Sequence, residues 1–93
     1  MRVDTFAAAM RRAQFAVGTG RGRRVILADG WQTADAFIVK TADPFIAAAA
    51  AQPHGLRKVV RVDRETGMCR VATYKQLEAE IVVAEPTRFR HSR

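Results

Sequence analysis

The sequence predicts an α+β fold. It is one small domain in the order α-β-β-α-β-β-α-β, with a largely antiparallel sheet packed against two helices. Three observations lead there. Apolar side chains recur at helical spacing across residues 4–17. Two pairs of strand-like runs flank turn sequences, Asp29-Gly30 and Arg64-Glu65-Thr66-Gly67. Asp43-Pro44 then opens an alanine-rich stretch with the signature of a helix start.

The first helix is expected over residues 4–17, with Asp4 as N-cap and Gly18 as the C-terminal glycine. Val3, Phe6, Met10, Ala13 and Val17 share one face at spacings of three and four. Arg11, Arg12 and Phe15 fall off that stripe, and an aromatic between arginines suits base stacking or a dimer contact. Arg24 to Ala28 has the β-branched and apolar content of a strand. A two-residue Asp29-Gly30 turn would return the chain through residues 31–40 and set Arg24 opposite Asp35. Trp31 would anchor that turn, partly buried.

The second helix is expected to run from Asp43-Pro44 through Ala47 to Ala51 and to stop before Pro53. Residues 57–63 and 68–73 make the second hairpin. A four-residue loop sets Val62 against Cys69 and Arg61 against Arg70. Val60, Val62, Cys69 and Val71 then line one face, and Arg57, Val59, Arg61, Arg70 and Ala72 the other. Cys69, the one cysteine, is read as a buried, inert thiol with no disulfide partner in the chain. Thr73-Tyr74-Lys75-Gln76 fits a capping box. A short helix from 74 to about 80 and a strand from Ile81 to Ala84 follow, ended by Pro86. The domain is therefore drawn as residues 1–86, with 87–93 as a basic, flexible tail.

Ninety-three residues make one domain, and 48% hydrophobic content is enough for a core. A chain this short buries a limited share of its surface, which favours a homo-oligomer. No apolar run approaches the ~18 residues of a membrane span. Arg11, Arg12 and Gln14 interrupt the N-terminal alanines, unlike a secretory leader. The expectation is a soluble cytoplasmic protein that does not enter a membrane.

Charge carries the functional argument. The net charge is +7, with 13 Arg and 3 Lys. Residues 18–24, 57–70 and 88–93 each carry +3, whereas 25–56 and 71–87 are acidic. Such a balance suits a polyanionic partner. The Gly18–Arg24 loop runs from helix to strand, the reverse of the nucleotide-binding loops, and no Lys-Ser or Lys-Thr pair follows. It is not a P-loop or a dinucleotide fingerprint. Its arginines instead suit phosphate contacts.

The expected function is a nucleic-acid-binding accessory or regulatory protein. Arg21, Arg23, Arg24, Arg57, Arg61 and Arg70 contact the phosphate backbone of DNA or RNA. The alternative is a protein-interaction module, a small inhibitor or homodimeric adaptor, bound to an acidic protein. His54, Cys69 and His91 are too scattered for a zinc site, and no cofactor motif is present. A metal-dependent nuclease would have to use Asp63 and Glu65 beside the hairpin turn, with Lys75 near them. Two acids at a turn are more simply turn residues, so no enzyme is expected.

Overall fold

The computed structural model describes residues 2–18, 25–42 and 57–89. The expected helix from Asp43 and residues 90–93 lie outside them, as do Arg21, Arg23 and Arg24. The described elements are α1 (Phe6–Val17), β1 (Val25–Gln32), β2 (Ala36–Ala42), β3 (Lys58–Asp63), β4 (Cys69–Thr73), a 3-10 turn (Lys75–Leu77), α2 (Glu78–Val82) and β5 (Glu85–Arg88). The five strands form one sheet, order β4-β3-β2-β1-β5, and every pairing is antiparallel. This is the α+β domain expected, with a helix on each face of the sheet.

α1 covers one face. Val3, Phe6, Ala9 and Ala13 pack with Phe37, Val39, Val60 and Val62, and the Phe6 and Phe37 rings meet edge to face at 6.0 Å. The cap is Thr5, not Asp4: the Thr5 hydroxyl accepts from the Ala8 N–H at 3.1 Å. Asp4 instead takes the guanidinium of Arg2. Gly18 ends the helix at φ 79, a backbone conformation that favours glycine, and its N–H donates to the Phe15 carbonyl.

The opposite face is covered by the 3-10 turn and α2. Leu77 and Ile81, four residues apart, pack on Ile38, Val59 and Ala72. The central strand β2 is therefore buried on both sides, with Ala36, Phe37, Ile38 and Val39 at 1% exposure or less. The capping box forms as expected. Thr73 N–H donates to Gln76 Oε1 at 2.9 Å, and Gln76 N–H donates to Thr73 Oγ1 at 3.2 Å.

Several local expectations are corrected. Asp29-Gly30 is not a turn. β1 runs straight through it, bulged between Ile26 and Gly30, and Gly30 pairs with Val39. A β-carbon at Gly30 would run into the Ile38 carbonyl, so the glycine serves close backbone approach rather than a turn. The turn lies at Thr33–Asp35, where Thr33 Oγ1 accepts from the Asp35 and Ala36 N–H groups. Asp35 is thus in a turn and not in a strand opposite residue 24.

Ile81 and Val82 are helical despite their β-branched side chains, because helical spacing buries Leu77 and Ile81 together. The final strand comes later, and Pro86, Thr87 and Arg88 are part of it. Pro86 is accepted there because β5 is an edge strand. Cys69 is only partly buried, since β4 is the other edge.

Candidate nucleic-acid interface

The β3–β4 hairpin has the register its sequence implies, with Val62 opposite Cys69 and Arg61 opposite Arg70. Two arginines facing each other across a ladder repel. The structure resolves this with a carboxylate from α2. Arg61 Nε donates to Glu80 Oε1 at 2.9 Å and Arg61 Nη2 to Glu80 Oε2 at 3.0 Å, a two-pronged pair. Asp63 lies at 3.9 Å from Arg61 Nη1. The hydrogen bond to Glu80 raises the Arg61 pKa further, against the opposing effect of burial. Arg61 is half-buried and held by Glu80, whereas Arg70 is exposed and makes no ion pair among the described residues.

The remaining expected residues separate. Arg57 is exposed just ahead of β3, where its carbonyl accepts from the Tyr74 N–H at 2.8 Å. Arg11 is exposed on α1, and Phe15 is 81% exposed. Arg12 reaches away to the hairpin, its Nε donating to the Gly67 carbonyl at 3.2 Å. That bond ties α1 to the β3–β4 turn.

The two acids of the nuclease alternative behave as turn residues. Asp63 Oδ1 accepts from the Glu65 and Thr66 N–H groups at 2.9 and 3.0 Å. The backbone bond from Thr66 is the main reason its pKa falls below the usual carboxylate range. Among the described residues, no group of three or more His, Cys, Asp or Glu side chains converges to hold a metal ion. Burial pushes the Cys69 thiol pKa up, partly offset by Arg12.

A basic cluster does form at one end of the sheet, and most of it went unmarked in the sequence. Trp31, Lys40, Thr41, Arg57, Lys58 and Tyr74 line a narrow recess together with Leu27 and Val59. No carboxylate is among its described lining residues. The recess has room for a few water molecules but not for a nucleobase. Trp31 and Tyr74 rings meet at 5.6 Å, and Lys40 Nζ sits 4.9 Å above the Trp31 ring. Asp29 holds the same Nζ at 2.8 Å, whereas Arg57 and Lys58 are exposed and make no ion pair among the described residues.

Pairing places this cluster where the arginine-rich loop joins the sheet. Ile26 pairs with Thr41 and Val25 with Ala42, and Arg24 directly precedes Val25 in the chain. Signals for the cluster existed: a lone tryptophan near Lys40, and the Arg57-Lys58 pair. The misplaced turn at Asp29-Gly30 hid them, because it put Trp31 at a hairpin tip instead of beside Ile38.

Comparison with protein-family models, with curated proteins and with solved structures finds no match for this chain. Among the described residues no helix is long and apolar enough to cross a membrane.

Proposed function

We propose that the protein is a small basic nucleic-acid-binding protein of accessory or regulatory role, working in the cytoplasm as a homo-oligomer. Its phosphate contacts centre on Arg57 and Lys58, with Arg21, Arg23 and Arg24 preceding β1 in the chain. The observation that supports this reading is the recess lined by Arg57, Lys58, Lys40, Trp31 and Tyr74, with no carboxylate among its described lining residues and with Asp29 beside it on Lys40. Arg70 extends the contact along β4, while Arg61 is spoken for by Glu80. Phosphate contacts of this kind bind without base readout and weaken steeply with salt. The test is a salt titration of binding to duplex DNA and to single-stranded RNA. Replacement of Arg57 and Lys58 should flatten the salt dependence.

A second reading has its own observation. Val82 and Val83 stand side by side at the end of α2, 71% and 81% exposed. An exposed apolar pair of this kind favours a protein partner. A wild-type chain that fails to bind nucleic acid at low salt would move this reading ahead.

A further inference from the structure

The two edges of the sheet are not equivalent. β5 has four residues with Pro86 among them, and proline has no N–H to offer a neighbouring strand. β4 has no proline and no bulge in its pairing with β3. Two hydrogen bonds fix which of its backbone groups face outward. Asp63 N–H donates to the Met68 carbonyl and Tyr74 N–H to the Arg57 carbonyl. By antiparallel alternation, residues 68, 70, 72 and 74 address β3, and residues 69, 71 and 73 address the outside. Thr73 N–H is taken by Gln76. The outward N–H and carbonyl groups of Cys69 and Val71 meet no partner among the described residues. Beside them Val71 is 44% exposed and Met68 72% exposed.

We propose that β4 pairs antiparallel with β4 of a second copy of this chain, about a two-fold axis at Val71, to make a continuous sheet across two molecules. A second copy fits because the strand is self-complementary in this register. Val71 exchanges both backbone hydrogen bonds with Val71 of the second copy, and the two valine side chains cover each other. Cys69 N–H addresses the Thr73 carbonyl. Arg70, the single charge on β4, lies opposite Ala72 instead of another arginine. The two Arg70 residues stand diagonally, at about 7–8 Å, where long side chains splay apart. The capping box ends the seam, because Thr73 has no N–H left to donate. The interface is independent of the recess near Trp31.

Sedimentation velocity of the full chain at tens of micromolar, with reductant present, tests the state. A dimer is expected. Val71→Lys sets two ammonium groups against each other at the axis and should halve the sedimenting mass, with an unchanged circular dichroism spectrum. Cysteine cross-linking tests the register. In a Cys69→Ser background, Val71→Cys places two α-carbons about 5.5 Å apart, within disulfide range. Mild oxidation should then give a covalent dimer, whereas Val82→Cys in the same background should not. A monomeric wild type, a dimer that survives Val71→Lys, or a Val71→Cys chain that stays uncross-linked would each overturn the proposal.

Discussion

Replacing Glu80 by Gln should expose how the sheet tolerates Arg61 opposite Arg70. The side chains of Arg61 and Glu80 are 25% and 28% exposed, so water screens their attraction incompletely. At about 3 Å and an effective dielectric near 20, the gross Coulomb attraction is about 5–6 kcal/mol. Desolvation and the ordering of two long side chains offset most of it. Hydrogen bonds to charged groups contribute about 1.5–3 kcal/mol net, and unshielded repulsion from Arg70 adds up to about 1 kcal/mol. A loss of about 2–3 kcal/mol is expected, a large share of the ~5–15 kcal/mol that holds a domain together. Urea denaturation would show it as a lower midpoint at unchanged slope. The diagnostic arm is Arg70→Ala. It should change stability by less than about 0.5 kcal/mol in the wild type, as surface substitutions do. In the Glu80→Gln background it should recover up to about 1 kcal/mol. A Glu80→Gln cost below about 0.5 kcal/mol, or equal Arg70→Ala effects in both backgrounds, would refute the account.

Gly30→Ala should destabilise strongly, by about 2–3 kcal/mol or more, because the new β-carbon meets the backbone of Ile38 and Val39, which cannot rotate away; a thermal midpoint within 2–3 °C of wild type, about half a kcal/mol at ~4–8 °C per kcal/mol, would contradict it. Asp63→Ala should cost stability in a pH-dependent way. The folded pKa of Asp63 is depressed by backbone donors, so its contribution is complete above the unfolded value of about 3.9 and fades as pH falls through the lower folded value. Denaturation at neutral pH and near pH 2 should show the difference between wild type and variant shrinking at the lower pH, and a difference that grows there would contradict the sign.

The periodic elements were legible. The apolar spacing of α1, the alternation of β3 and β4, and the Thr73–Gln76 capping box all report on neighbours within a few residues. The Arg64–Gly67 loop even set the register of Arg61 on Arg70. What failed were the features decided by distant packing. Asp29-Gly30 has the local chemistry of a hairpin turn, yet Trp31 gains more by pairing with Ile38 and packing on Tyr74. Ile81 and Val82 carry strand propensity, yet the buried faces of Ile38, Val59 and Ala72 require Leu77 and Ile81 at helical spacing. The same limit applies to the site. Repulsion between Arg61 and Arg70 was visible, but Glu80 is 19 residues along and reaches Arg61 only because α2 lies over the sheet. Lys40, Lys58, Trp31 and Tyr74 come from four separate elements or their margins, and only the true register of β1 on β2 brings them to one recess.

The most direct test of the nucleic-acid reading follows the intensity of the only tryptophan, Trp31, during titration with mixed-sequence duplex DNA at several salt concentrations. Wild type is expected to bind at low salt with a change in Trp31 emission, and its affinity should fall linearly on a log–log plot between about 50 and 200 mM salt. Each lost phosphate contact reduces that slope by about 0.9, so Arg57→Ala with Lys58→Ala should flatten it by about 1.8. Arg11→Ala, on α1 at the opposite face, should leave it unchanged. No binding at low salt, or an unchanged slope in the Arg57 and Lys58 double variant, would contradict the assignment of this recess to phosphate.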